Sequence, residues 1–338
     1  MGPAPDRAPG RASAEWHAAA AVGIIAAVLA GAVAWMSMGG SGLAKDFSLP
    51  WTAARHLLEG RDPYAAMSPT GVYPFNVPFY YPLPAAVIAV PFALLPATVA
   101  GITFVALSFG IAGFLLARDN PARAIGLLGF PAVMAAALGQ WSPLLLAATV
   151  APLLQFTMPV KPTLGAAVFV NRPSWVGLAA AAVVLALSFL IMPHWVASWR
   201  SAVASAWDMY TPPVRWAGGA GLVLLASLAL WRDPDARLLA VLALAPQLPL
   251  FYDQLLAHGV ARTKREAWIL VAVGWIGGLA WAFRGAGADG AERPARGIIL
   301  TTVYLPALFI LALRYWTQRQ GSASSARNSF GNSGHTES

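Results

Sequence analysis

The chain has 338 residues, of which 58% are hydrophobic and only 11% are charged, with a mean hydropathy of +0.62. A soluble globular domain carries about 25% charged residues, so this composition excludes an ordinary soluble protein and indicates an integral membrane protein. The absence of cysteine excludes disulfides, thiolate metal sites and cysteine nucleophiles. The net charge of +8 does not indicate nucleic-acid binding, because the 22 basic residues are scattered between apolar segments.

The apolar segments are long enough to cross a bilayer as helices. A hydrocarbon core of about 30 Å needs about 20 helical residues, whose backbone groups must be satisfied within the segment. No alternation typical of an outer-membrane barrel is present. We therefore expect an all-α, polytopic protein with about nine to eleven membrane segments. The clearest spans are 17–38, 97–117, 123–139, 142–158, 174–192, 214–231, 237–252, 267–283 and 297–316.

Three segments, 79–96, 155–173 and 253–262, leave open whether they cross the membrane. The first contains four prolines, which remove amide donors and clash with the preceding turn, so it predicts a half-inserted or juxtamembrane element. The whole of 1–316 is expected to form one transmembrane domain. The polar tail 317–338 is predicted to be disordered and cytoplasmic.

Basic residues predict the orientation of the chain. If 79–96 does not cross and a short segment near 255–260 does, 14 of the 22 Lys and Arg residues, Lys161 among them, lie inside and eight lie outside. This asymmetry, which depends on the choice of those two crossings, favours two cytoplasmic termini in the inner or plasma membrane. The loop of about 39–80 then faces away from the cytoplasm, and loops of this length are usually functional.

A juxtamembrane helix is predicted inside this loop. Ser48 is a candidate N-cap and Gly60 a candidate stop. Because Trp51, Ala54 and Leu58 fall on one helical face, the helix is expected to lie on the membrane surface.

Asp46, just before this helix, is the candidate catalytic residue. A carboxylate beside a helix end that attracts anions is well placed to act as a base next to a phosphate. The alternative, that Asp46 caps the helix or pairs with Lys45, is equally compatible with its position.

The segment from about 44 to 96 resembles glycosyltransferase family 87, the polyprenyl-phosphate-mannose-dependent mannosyltransferase-like proteins of the GT-C fold. The resemblance rests on an aspartate after the first span and on two stretches, WTAARHLLEGRDPY (Trp51–Tyr64) and FYYPLPAAVIAVPFALLP (Phe79–Pro96). Gly139-Gln140 and Lys161-Pro162 also match the family's pattern. The chain departs from it in being short, in a compressed region around 155–175, and in having Tyr-Pro-Leu-Pro where the family has Tyr-Pro-Pro-Leu.

This resemblance implies an inverting transfer of a sugar, with mannose expected, from a polyprenyl-phosphate-sugar donor to a hydroxyl of a glycan or glycolipid. The transfer would take place on the non-cytoplasmic face, with Asp46 matching the catalytic aspartate. One carboxylate suffices, because the leaving phosphate needs no protonation. No cofactor is expected beyond the lipid-linked donor, membrane lipids are the only other partners, and a divalent metal stays an open alternative.

The leaving phosphate needs cationic or amide donors. Asp253, the other acid close to an outer span end, is a further candidate for the site. The residues predicted to bind donor or substrate are Arg55, His56, Arg61, Tyr64, Tyr81, Gln140, Asp253 and His258.

Simpler roles compete with these assignments. Asp62 is expected to organise a turn, Tyr81 to be an interfacial aromatic residue, and Lys161 to mark a cytoplasmic boundary. Gln140 is equally compatible with bonding a helix end. The competing functions are a polytopic lipid or small-molecule transporter, which would show inverted repeats that we do not find, and a catalytically inactive GT-C relative.

Overall fold

The computed structural model describes residues 9–40, 42–67, 77–204, 206–284 and 295–332. These residues form helices and loops with no β-strand among them, so the predicted all-α class is confirmed. The α-helices are α1 (Pro9–Met38), α2 (Ser48–Leu58), α3 (Pro63–Ala66), α4 (Leu83–Ala89), α5 (Ala97–Asp119), α6 (Pro121–Ile125), α7 (Phe130–Ala137), α8 (Ser142–Ala148), α9 (Pro162–Asn171), α10 (Trp175–Ile191), α11 (Trp195–Ala204), α12 (Pro234–Leu244), α13 (Lys264–Phe283), α14 (Arg296–Ile299) and α15 (Leu305–Asn332).

3₁₀ segments of 3 to 14 residues connect many of these helices. A stretch of π-helix, Leu300–Tyr304, joins α14 to α15. The 3₁₀ segments are Lys45–Phe47, Val90–Leu94, Gly126–Leu128, Pro152–Val160, Trp207–Met209, Pro213–Arg215, Ala217–Leu230 and Asp253–Val260.

Four helical stretches in the described chain are long and apolar enough to cross a membrane: Ser13–Met38, Ala97–Asp119, Lys264–Phe283 and Arg296–Gln320. Helices α10 and α11 meet at 95° and add a fifth if the bent pair is one span. The architecture is therefore that of a multi-pass membrane protein, and the larger number of nine to eleven crossings stays a prediction.

The other predicted spans are interrupted. The stretch 121–160 consists of α6, α7, α8 and 3₁₀ segments, and α12 ends at Leu244, just before Pro246. Prolines stand in the first turns of α6, α7 and α8, where their missing amide is tolerated, and they prevent continuation from the preceding helix. The segment 253–260 rises only about 16 Å at roughly 2 Å per 3₁₀ residue, too little to cross the core by itself.

The last helix differs from its prediction. Helix α15 continues past the apolar stretch to Asn332, into the tail predicted to be disordered, while residues 333–338 lie outside the described chain.

The predicted juxtamembrane helix is present as α2, and Gly60 follows it with a φ of +68°. Its predicted apolar face is only partly free to meet lipid, because Trp51 and Ala54 are buried against protein while Leu58 is 55% exposed, and its position on the membrane surface stays a prediction. Ser48 is not the N-cap. A 3₁₀ turn leads directly into α2, so the Ser48 hydroxyl instead accepts a 2.7 Å hydrogen bond from the Ala44 amide.

The proline-rich segment 79–96 covers α2. It contains α4 and the 3₁₀ turn Val90–Leu94, with no single long helix, as the prolines predicted. The Trp51 indole donates a 3.0 Å hydrogen bond to the Leu95 carbonyl, and α4 also packs on α2. This packing explains why α2 is buried on more than one face.

An ionic network joins the helices at the far end of α5. Asp235, 1% exposed, accepts bonds from Arg262 Nε at 2.7 Å, Arg314 Nη1 at 3.1 Å and Arg123 Nη2 at 3.3 Å. Helix α5 starts in contact with Ala44 and is about 34 Å long at 1.5 Å per residue. The network therefore lies at the end of the helices opposite Asp46.

Candidate functional site

Four polar side chains from distant parts of the chain meet at the end of the helices where Asp46 lies. The Lys161 ammonium donates to Asp253 Oδ1 at 2.6 Å and to Gln140 Oε1 at 2.7 Å. The Gln140 amide nitrogen donates in turn to Asp46 Oδ2. Because lysine only donates and a carboxylate only accepts, these partners determine the orientation of the Gln140 amide. The result is a continuous hydrogen-bonded chain from Asp253 to Asp46.

The Asp46 end of this chain is held by backbone contacts. Asp46 lies in the 3₁₀ turn Lys45–Phe47, and its amide donates to the Leu138 carbonyl at 3.1 Å. Gly139 has a φ of +66°, and a Cβ there would lie only 3.0 Å from Phe47 Cβ. Glycine therefore lets the turn between α7 and α8 approach Asp46 closely, which brings Gln140 beside the carboxylate.

Lys161 and Asp253 form a buried ion pair. Their side chains are 14% and 6% exposed. Lys161 precedes α9, and Asp253 begins a 3₁₀ segment whose residues are all buried. The ammonium also lies 4.8 Å from the ring centroid of Tyr252 and 5.9 Å from that of Tyr81, where cation–π attraction operates.

Asp46, Lys161 and Asp253 line one cavity of about 370 Å³. Pockets of about 300–1,000 Å³ with mostly apolar walls and a few convergent polar groups are typical of small-molecule sites. The charged groups among the described lining residues are two carboxylates and one ammonium, which sum to −1 when all three are ionised. The aromatic walls are Tyr80, Tyr81, Trp199, Trp207, Tyr210 and Tyr252.

Tyr81 and Tyr210 of this cavity have raised pKa values. Burial, followed by the charge of Asp46, raises the pKa of Tyr81, and burial together with Asp253 raises the pKa of Tyr210. Charged carboxylates nearby disfavour a phenolate, so these hydroxyls stay available to donate hydrogen bonds.

The cations predicted to bind donor phosphate lie elsewhere. Arg55 donates to the Ala93 carbonyl at 3.1 Å and stacks over Trp51, while Arg61 pairs with Glu59. His56 is 1% exposed, and burial, followed by the charge of Arg61, lowers its pKa. None of the three predicted cations lines the cavity.

Two more residues predicted to bind donor or substrate, Tyr64 and His258, lie outside the cavity lining. The Tyr64 hydroxyl donates to the Tyr81 carbonyl at 3.0 Å, so Tyr64 supports a wall of the cavity from behind. His258 is 2% exposed and packs against Gly126 and Gly129, away from the cavity lining. Asp62 caps α3 by accepting from the Tyr64 amide at 2.8 Å, which confirms its predicted turn role.

Lys161 is the residue that the sequence prediction misplaced. It was expected to mark a cytoplasmic boundary, but its bond to Gln140 puts it on the same side as Asp46. A lone lysine after an apolar stretch has the same sequence pattern whether it marks a cytoplasmic boundary or lies in a site on the opposite side. The only available signal was the match of Lys161-Pro162 to the family pattern.

Among the described residues, no three histidine or acidic side chains come together as a metal site. Comparison of the chain with protein-family models, curated proteins and solved structures finds no match. The fold and the site therefore define the class: an all-α, multi-pass membrane protein with a charged, aromatic-walled cavity at one end of its helices.

Proposed function

We propose that this protein is a membrane glycosyltransferase that moves a sugar, with mannose expected, from a polyprenyl-phosphate donor to an acceptor hydroxyl. The reaction inverts the anomeric carbon and takes place on the non-cytoplasmic face of the cell membrane. The observation that supports it best is the presence of Asp46 and Lys161 in one aromatic-walled cavity.

Asp46 supplies the base in this reaction. Its carboxylate takes the proton of the acceptor hydroxyl while the new oxygen–carbon bond forms. The bond between the anomeric carbon and the phosphate oxygen breaks on the opposite face, and its electron pair leaves with the phosphate. Gln140 orients the Asp46 carboxylate by donating to Oδ2.

Lys161 supplies positive charge for the departing phosphate. An ammonium has three N–H donors, and the bonds to Gln140 and Asp253 use two of them. The third, with the hydroxyls of Tyr81 and Tyr210, is suited to phosphate oxygens that gain charge in the transition state. The apolar part of the wall, which includes Val160 and Leu164, suits the first isoprene units of the lipid.

The test is sugar transfer by purified protein in mixed micelles, with a radiolabelled polyprenyl-phosphate sugar and extracted membrane glycolipids as acceptors. Asp46→Asn keeps the size of the side chain and its bond to Gln140 but removes the base. We expect transfer to fall by about 10²–10⁴-fold, with donor binding nearly unchanged. Asp119→Asn, at the far end of α5, is the matched control and should retain transfer.

Retained transfer in Asp46→Asn would refute the assignment of the base. Donor binding without any transfer by the wild-type protein would instead favour a catalytically inactive relative.

A further inference from the structure

A second cavity, of about 320 Å³, adjoins the first. Trp207 and Tyr210 line both cavities and so form part of the wall between them. Among the described residues that line it, the charged ones are Asp208, Arg215 and Arg296. These three side chains sum to a formal charge of +1, opposite in sign to the sum over the charged lining residues of the first cavity.

Within the part of the chain that the structure describes, the two arginines have unused hydrogen-bonding capacity. No ion pair between described residues involves Arg215 or Arg296, although Asp208 lines the same cavity. The Arg296 Nε is buried and has no hydrogen-bond partner within the described chain. Leaving a buried donor unsatisfied costs about 1–3 kcal/mol. Two guanidinium groups facing one polar cavity are suited to an oxyanion, which a guanidinium binds with two parallel hydrogen bonds.

Arg215 ends a 3₁₀ turn that is bonded to a neighbouring loop. Thr211 and Gln247 exchange two backbone hydrogen bonds of 3.3 Å, which joins the turn to the loop after α12. The buried Trp216 indole donates to the Thr211 hydroxyl at 2.9 Å. These bonds therefore hold the backbone at Arg215, directly before Trp216, while the Arg215 side chain itself is exposed.

Arg296 is attached to the same loop. The Ala295 amide donates to the Pro249 carbonyl at 3.1 Å, just before α14 begins. Pro246 and Leu248 of this loop line the first cavity. A single loop thus positions both cavities relative to each other.

We propose that the second cavity binds an oxyanion, a phosphate or a carboxylate, carried by the acceptor. The inference rests on the proposed function, since transfer requires a second substrate beside the donor. An acceptor whose anionic group contacts Arg215 and Arg296 would extend past Trp207 and Tyr210 toward Asp46. The substrate class is therefore an acidic or phosphorylated glycan or glycolipid.

The probes are three synthetic amphiphiles: octyl glucoside 6-phosphate, octyl glucuronide and neutral octyl glucoside. Their dissociation constants are measured by calorimetry on full-length protein in a neutral maltoside detergent. We expect both anionic probes to bind at least about tenfold more tightly than the neutral one. Arg215→Gln combined with Arg296→Gln should reduce this preference to near one. Arg200→Gln, which removes an exposed arginine outside both cavities, is the matched control and should keep it.

Equal binding of the three probes, or a preference that survives the double substitution, overturns the proposal. Adding phosphatidylglycerol, with phosphatidylcholine as the control lipid, distinguishes a lipid headgroup from the acceptor as the source of the oxyanion. If phosphatidylglycerol alone displaces the anionic probes completely at equal concentration, the cavity holds a lipid headgroup and the acceptor assignment is wrong.

The preference for anionic probes is also measured in Asp46→Asn, where it should persist. If the wild-type protein shows the preference but transfers no sugar, the acceptor role and the proposed function are refuted, while the oxyanion site stands.

Discussion

Breaking the Lys161–Asp253 pair should be costly in a way that breaking a surface pair is not. Both side chains are largely buried, 14% and 6% exposed, and their atoms lie 2.6 Å apart. Removing one partner of a buried pair leaves an uncompensated charge and costs about 3–5 kcal/mol. Lys161→Met and Asp253→Asn should each lower the free energy of unfolding by about that amount.

The double variant should recover much of this loss, because neither charge is then left alone. We expect a coupling energy of about 2 kcal/mol or more between the two sites. The assay is unfolding in dodecyl maltoside micelles titrated with sodium dodecyl sulfate and followed by circular dichroism. The exposed pair Glu59–Arg61, 40% and 44% exposed, is the control and should show a coupling of at most about 1 kcal/mol.

Transfer activity separates the structural role of Lys161 from its proposed contact with phosphate. Lys161→Met and the double variant should both lose transfer, since the double variant regains stability but not the cation. Additive energies for the two substitutions would refute the buried-pair argument. Full transfer by the stable double variant would show that the donor phosphate is bound without Lys161.

Three other predictions follow from the contacts described above. Because the chain has no native cysteine, a thiol introduced at exposed Glu59 should react with an impermeant reagent in intact cells, whereas one at Thr317 should not, and the reverse pattern would invert the topology. Arg61→Ala should leave the donor KM within about twofold, because this side chain pairs with Glu59 on the surface, and a large rise in KM would place the phosphate there. Asp235→Asn should lower the free energy of unfolding by about 3–5 kcal/mol, measured by the same titration, while the folded fraction keeps its transfer rate.

Local features of the sequence determined the class of the protein and the place of its first candidate residue. Long apolar runs have no stable form in lipid except a helix with all its backbone bonds internal, which is why the all-α prediction succeeded. The prolines of 79–96 predicted a broken element for an equally local reason, their missing amides. Asp46 was found because it directly precedes a recognisable helix, α2.

Tertiary packing decided the composition of the site. Gln140 contacts Asp46 across 94 positions, and Lys161 contacts Asp253 across 92. Such contacts leave no periodicity in the sequence, so Lys161 had the pattern of an ordinary boundary residue. For the same reason Arg55 was predicted to bind the donor, although it does not line the cavity. Whether a charge near an apolar segment meets water or another charge depends on which helices pack together, and that is decided only when the chain has folded.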